Sequence, residues 1–271
     1  MKIYIVNLKR RQDRKDKIIA DFKEFKFTNY EFIEAIDGNN HTHQTLTGHY
    51  SDKHAIRLQR RMSVNEICAV ESHKLAHKAF LKTGEQCGII MEDDCPITKE
   101  LIDFCNSDFK FPTKETDIIL LGYYSSNESN PNVNTYKLQN YKYDIMSIIQ
   151  ETRVYLKNEK ITVGSYNFHK FDEKSLRVDF VHGAHCYLCS INGSNKYIKR
   201  ATPIVCEPDN YWNYFQDIKV LGCHPILTDI LRDRDDSDLE EGRSYEQLQM
   251  NSYNTHGKFF LSRITNENFG S

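Results

Sequence analysis

Three consecutive carboxylates, Glu92-Asp93-Asp94, directly follow the small and apolar run Cys87-Gly88-Ile89-Ile90-Met91. A run of that length and composition reads as a buried strand, which sets the acids at its carboxyl end, where open α/β sheets collect ligands. Carboxylates crowded beside a core are costly unless a cation, hydrogen bonds or water compensate them. Hard oxygen donors suit Mg²⁺ or Mn²⁺, and such an ion neutralises phosphate charge. The plainer alternative is an exposed acidic turn that caps the next helix.

Other side chains able to do chemistry are scattered. Ser72-His73-Lys74-Leu75-Ala76-His77 places two histidines one helical turn apart, a spacing that can chelate zinc. Lys74 occupies the position a glutamate holds in HExxH, so His73 is better read as a structural or ligand-binding group. Cys186-Tyr187-Leu188-Cys189 is a CxxC within a strand-like stretch. Residues three apart in a strand point to opposite faces, so the pair does not suit one zinc ion. His185, between Gly183 and Tyr187, reads either as a site residue or as a satisfied core histidine. The charged run from Arg232 to Asp238 lacks the glycine and terminal glutamate of an EF-hand and reads as a loop, with Asp238 a reserve metal ligand or base.

The elements that must position these groups follow from periodicity. Residues 2–8 alternate as a strand, residues 10–27 carry Ile18, Ile19, Phe22 and Phe25 at helical spacing, and residues 30–36 form a second strand stopped by Asp37-Gly38. Residues 39–53 read as a polar loop. Ser63-Val64-Asn65-Glu66 is a capping-box pattern, predicting a helix over 64–82 that ends before Gly84. A helix around 100–105 and a strand over 117–122 follow. Residues 123–174 have no clear period; regular patterning returns as a strand over 179–190 and helices around 195–200 and 209–215. Alternating strands and helices predict an α/β fold with a mostly parallel central sheet.

Composition bounds the rest. At 271 residues the chain suits one α/β domain with insertions, and 36 basic against 38 acidic residues give no electrostatic footprint for nucleic acid. The first apolar run is too short for a signal-peptide core and is followed by Lys9-Arg10-Arg11, so the expected setting is cytoplasmic. Nothing approaches the roughly 18 apolar residues that span a bilayer, which leaves at most peripheral membrane contact. The eight cysteines are then expected to be reduced thiols.

Several segments together resemble glycosyltransferase family 25. They are Ile3-Tyr4-Ile5-Val6-Asn7-Leu8 with Arg10, Arg11, Asp13 and Arg14, then Glu34-Ala35-Ile36-Asp37-Gly38, Glu66-Ile67 with Ser72-His73, Ile89 to Asp94, Leu120-Leu121-Gly122, and Gly183 to Leu188. Each is weak alone, but their order and spacing are specific. Cys186 and Cys68-Ala69-Val70 depart from the family's usual residues without removing an acid. The resemblance implies a glycosyltransferase-A type, Rossmann-like fold with a variable insertion, in a single domain whose residues 1–122 bind the nucleotide sugar and 123–271 the acceptor. It further implies a UDP-sugar donor, commonly UDP-galactose, transferred with inversion to a lipooligosaccharide or related glycan or glycolipid at the inner face of the bacterial inner membrane.

Carried onto this chain, the resemblance makes Asp94 a direct metal ligand, Glu92 a ligand directly or through water, and Asp93 a partner for ribose hydroxyls. Asn7 and Asp37 follow the first two strands, where base and ribose would lie. Arg14 would face the diphosphate, unless it belongs to a solvated basic helix face with Arg10 and Arg11. His73 would face the donor. Inverting transfer needs a base to take the acceptor hydroxyl's proton, and Asp209, in Glu207-Pro208-Asp209-Asn210-Tyr211-Trp212, is the candidate, beside aromatics able to stack on sugars. Its alternative role is to cap a helix. Two other function classes share the acidic signature: a metal-dependent phosphoryl-transfer or hydrolytic enzyme, and a nucleotide-sugar-binding scaffold without turnover.

Overall fold

The computed structural model describes residues 1–50, 62–114, 116–125, 155–163, 166–172, 181–215 and 217–228. In chain order its regular elements are β1 (Ile3–Asn7), α1 (Gln12–Glu24), β2 (Tyr30–Glu34), α2 (Val64–Leu81), β3 (Cys87–Glu92), α3 (Lys99–Asn106), β4 (Ile118–Ser125), β5 (Tyr155–Val163), β6 (Tyr166–Asp172), β7 (Val181–Ser190), α4 (Ile191–Arg200), α5 (Tyr211–Tyr214) and β8 (Val220–His224). Single-turn 3-10 helices occupy Gly38–Asn40 and Pro208–Asn210.

Period-two alternation sends successive strand residues into two separate cores. Ile3 and Ile5, Ile89 and Met91, Ile119 and Leu121, and Cys186 and Leu188 fill one face of the sheet, with Ile18 and Phe22 of α1 and Leu101 and Phe104 of α3 packed on them. Tyr4 and Val6, Ile90, Ile118 and Leu120, and Tyr187 and Cys189 fill the other, covered by α2, by Tyr197 of α4 and by Trp212 of α5. Strands buried on both faces require helices on both, which is the layered α/β arrangement expected. Cys186 and Cys189 therefore go to opposite faces, as the strand reading required. All eight cysteines are free thiols.

The eight strands form one sheet in the order β2-β1-β3-β7-β4-β8-β6-β5. It is mixed rather than mostly parallel. β1 runs parallel to β2 and β3, and β4 parallel to β8. β7 lies between β3 and β4 and runs against both, while β6 runs against β5 and β8. The physical consequence is local. The carboxyl ends of β1 and β3 share one sheet edge, paired through Val6 and Glu92. Antiparallel β7 brings the residues preceding Cys186, which pairs with Met91, to that same edge.

α2 forms because its start is capped on both sides. Ser63 Oγ accepts from Glu66 N at 3.2 Å, and Ser63 N donates to Glu66 Oε2 at 2.8 Å. The helix then passes through the interior with polar as well as apolar side chains buried, so the polar ones need partners. Lys74 Nζ donates to Glu71 Oε1 at 2.7 Å, and Ser72 Oγ both donates to Cys68 O at 2.7 Å and accepts from Ile36 N at 2.9 Å. The second bond locks α2 to the turn after β2.

Several boundaries differ from those predicted. α4 begins at Ile191, because Ser190 caps it by accepting from Gly193 N at 3.0 Å. The predicted helix over 209–215 is a 3-10 turn followed by the single turn α5. Within 123–174, β5 and β6 pair as a hairpin at the sheet's far edge. The run from Arg232 to Asp238 lies outside the described residues.

Candidate functional site

Two parallel strands ending together are what assemble the site. Asn7 closes β1, and its Nδ2 donates to Asp93 Oδ2 at 2.7 Å and to Arg11 O at 3.2 Å. From the first turns of α1, Arg14 Nη1 donates to the other oxygen, Asp93 Oδ1, at 2.7 Å. Asp93 is thus engaged at both oxygens by protein groups. Burial still raises its pKa above the usual carboxylate value, against the lowering by Arg14 and Asn7.

Asp94 is placed differently. Its Oδ1 is buried with no hydrogen-bond partner, and Arg14 Nη1 stands 3.9 Å from its Oδ2. Burial, reinforced by the neighbouring Glu92 charge, lifts the Asp94 pKa to about 7. Glu92 ends β3 and turns toward α2, where its Oε1 lies 3.0 Å from His73 Nε2. An unpartnered buried carboxylate oxygen beside a second carboxylate calls for a positive partner.

These groups rim an open cleft floored by Val6, Leu8, Ala35, Ile36 and Ala69. Arg10, Arg14, Asp37, Asn65, His73, Glu92, Asp93 and Asp94 bring polar chemistry to it. Asp37 caps the Gly38–Asn40 turn by accepting from Asn39 N at 3.0 Å on Oδ1, and its Oδ2 accepts from Arg10 Nε at 3.0 Å. Gly38 matters sterically, since a Cβ there would run into the Asn65 side chain.

Of the residues singled out in the sequence, Arg14, Asp37, His73, Glu92, Asp93 and Asp94 line this cleft, and Asn7 meets it through Asp93. Asp209 does not line it. It sits part-exposed on the Pro208–Asn210 turn, which packs against α2 and β7. His185 is buried at the same sheet edge, against Gly122 and Thr228. The position of Asn65, two residues after the Ser63 cap, carried no sequence signal of a site. Nor did Tyr187, whose hydroxyl lies 3.0 Å from His73 Nδ1 and 3.1 Å from His77 Nε2. That hydroxyl occupies the ring nitrogens a zinc ion between the two histidines would need.

Among the described residues, no group of three His, Cys, Asp or Glu side chains converges as a metal cage. Glu92 and Asp94 alone nonetheless fit Mg²⁺ or Mn²⁺. Mg²⁺ keeps several waters and is held through one or two carboxylates plus substrate phosphates. The buried, unpartnered Asp94 Oδ1 is the atom such an ion would satisfy.

A two-faced α/β sheet with an acidic cleft at the carboxyl ends of parallel strands defines a layered α/β protein whose candidate ligand site lies where open α/β sheets collect ligands. Residues 1–212 match glycosyltransferase family 25 (LPS biosynthesis protein), and the chain belongs to that family. It is also similar to protein R655 of Acanthamoeba polyphaga mimivirus, provisionally named a glycosyltransferase, with 32% identity over 95 residues. That stretch is 35% of this chain and spans 28% of the length of the viral protein. Among solved structures, A197 from STIV aligns at 11% identity and a TM-score of 0.37, covering 82% of this chain and 81% of its own. A Bacillus anthracis protein provisionally named a glucose-1-phosphate thymidylyltransferase, solved with sucrose, aligns at 11% identity and a TM-score of 0.37, covering 82% and 85%. Likeness at that level carries nothing about chemistry.

Proposed function

We propose that the chain is a metal-dependent glycosyltransferase that moves a sugar from a UDP-sugar to a glycan or glycolipid acceptor of lipopolysaccharide. The observation that carries this reading is Asp94. Its Oδ1 is buried and unpartnered in a cleft at the carboxyl ends of β1 and β3, in a chain of glycosyltransferase family 25. Asp94 and Glu92 would hold Mn²⁺ or Mg²⁺, which when bound supplies positive charge to the departing diphosphate.

The protein's own groups do the rest. Asp93, clamped by Asn7 and Arg14, orients the acidic turn and presents Arg14 to the same anionic group. Asp37 and Asn65 offer hydrogen-bonding groups to the nucleoside across the apolar floor. Asp209 is assigned the acceptor hydroxyl's proton in an inverting displacement, on a turn seated against the two elements that carry His73 and Tyr187. Galactose as the sugar, a lipooligosaccharide acceptor and a position at the inner membrane face rest on the family likeness. No helix among the described residues is long and apolar enough to cross a membrane, so membrane contact is assigned to the surface.

A donor screen with Mn²⁺ against an acceptor array tests the reading, repeated with Asp94→Ala. Transfer is expected to fall on the order of 100-fold or more while thermal unfolding stays cooperative. Undiminished transfer by that variant removes Asp94 from the mechanism. Asp209→Asn is expected to lower kcat with UDP affinity retained.

A further inference from the structure

The cleft runs from the acids at the end of β3 to the turn after β2. β3, β1 and β2 are consecutive in the sheet, with Val6 paired to Glu92 on one side and to Ile33 on the other. Neighbouring strands lie about 4.8 Å apart, which sets the acids and the β2 end about 10 Å from each other. A ribose and a phosphate bridge a gap of that size. With a diphosphate at the acids, a nucleobase comes to lie among Ala35, Ile36, Gly38, Asn65 and Ala69.

The polar side chains at that end are mostly committed or one-sided. Ser72 Oγ donates to Cys68 O and accepts from Ile36 N. Asp37, an acceptor alone when ionised, takes Asn39 N on Oδ1 and Arg10 Nε on Oδ2. Arg10 can only donate. Asn65, in the first turn of α2, instead brings an amide, with a donor and an acceptor side by side.

That amide explains why residue 38 is glycine. Among the described glycines only Gly84 enters the left-handed region, so the backbone path at Gly38 suits any L residue. Space is what a side chain would lack there: a Cβ would stand 1.9 Å from Asn65 Oδ1 and 3.1 Å from Asn65 Cα. Oδ1 thus rests against the bare Cα of Gly38. An oxygen suits that contact, as a weak acceptor of Cα–H, better than an amino group does, so one way round of the amide is favoured.

We propose that Asn65 reads the base of the donor nucleotide, accepting a ring N–H on Oδ1 and donating from Nδ2 to the carbonyl beside it, with Gly38 leaving the room this amide needs. The proposal rests on the UDP-sugar reading above and deepens it by naming the residue that selects uracil. Uracil offers N3–H next to its C4 carbonyl. Cytosine reverses both, with a bare N3 next to an amino group. The same amide then meets acceptor with acceptor and donor with donor, which is discrimination by mismatch as well as by fit.

Calorimetry with UDP and with CDP, each in excess Mn²⁺, tests this on wild type, Asn65→Ala, Gly38→Ala and the double variant. The two nucleotides are nearly equal in size, so their affinity ratio reports hydrogen bonding rather than volume. Wild type is expected to bind UDP about tenfold or more tighter than CDP. Asn65→Ala should bring the two within about threefold, and Gly38→Ala should do the same with the amide still present, because the new methyl takes the place of Oδ1. Adding Asn65→Ala to Gly38→Ala should then change the ratio by less than about twofold, since both act through one group.

A general loosening of the cleft would weaken UDP and CDP alike and leave their ratio where it was. An unchanged ratio in Asn65→Ala, or a wild type that does not prefer UDP, overturns the proposal while leaving the donor reading standing. A Gly38→Ala variant that keeps the wild-type ratio overturns the role given to Gly38. A folded wild type that binds neither nucleotide defeats the donor reading itself, and the assignment of Asn65 with it.

Discussion

Arg14 Nη1 stands 2.7 Å from Asp93 Oδ1 but 3.9 Å from Asp94 Oδ2, so one guanidinium divides two neighbouring acids into a satisfied and an unsatisfied one. The Arg14 and Asp93 side chains are only 12% and 8% exposed. Breaking a buried pair by removing one partner leaves an uncompensated charge. Arg14→Ala is therefore expected to destabilise the fold by about 3 kcal/mol, read from urea unfolding. Replacing both, as Arg14→Met with Asp93→Leu, should recover most of that loss. Equal destabilisation by the single and double variants would show that Arg14 acts through packing instead.

The same division gives a pH signature. Asp94, lifted to about 7 by burial and then by Glu92, keeps a proton in the folded state that an unfolded carboxyl, near 3.8, has already lost. Its contribution to the stability of the metal-free protein is full below the unfolded value. It is lost as pH rises through about 7. A divalent ion needs the ionised carboxylate, so binding should release a proton below that point. Mn²⁺ affinity is expected to be about tenfold weaker at pH 6 than at pH 8, with proton release seen by calorimetry in buffers of different ionisation enthalpy. A flat profile would take Asp94 out of the ligand set.

Much of the positioning framework was legible because it is written in local pattern. Alternation in β1, the short apolar runs of β3 and β4, the Ser63 to Glu66 box and the acids after Met91 each need only a few consecutive residues to be read. The direction of β7 was not legible. A strand buried on both faces shows a continuous apolar run whether it lies parallel or antiparallel to its neighbours, so the mostly parallel sheet expected became a mixed one. The pairing of Tyr187 with His73 spans 114 positions and that of Asp93 with Asn7 spans 86, distances at which single-sequence periodicity says nothing. β8 was missed because its five residues include a glycine and end in a histidine, too short a run to separate from loop.

At the opposite end of the sheet, Asp117 is 2% exposed and ties three elements together. Its oxygens accept from Asn192 Nδ2 at 2.7 Å, Lys196 Nζ at 2.7 Å and Lys219 N at 2.9 Å. Asp117→Ala removes both acceptor oxygens and with them all three hydrogen bonds, and a loss of about 3 kcal/mol in urea unfolding is expected. Because β4 begins at this edge and the acids lie at the other, Mn²⁺ affinity of the folded variant should be unchanged. A large loss of affinity would mean that the two edges are mechanically coupled.

Gly122 offers a sharper link between packing and site. It lies where the pairing of β4 with β7 slips register, and a Cβ there would stand 2.5 Å from Thr228 O and 2.8 Å from His185 Nε2. The carbonyl cannot yield cheaply, since the Thr228 hydroxyl donates to Pro96 O at 2.8 Å and Leu227 N donates to Leu121 O at 2.7 Å. Pro96 follows the acidic turn by two residues, so strain at Gly122 is passed to it. Gly122→Ala is expected to cost about 2 kcal/mol, as overpacking does, and to shift the His185 ring resonances. Gly48→Ala is the matched control, because a Cβ there meets nothing within 4 Å, and its effect should stay within about 0.5 kcal/mol. Equal effects of the two substitutions would show that backbone entropy, not the contact with Thr228 and His185, sets the requirement for glycine at 122.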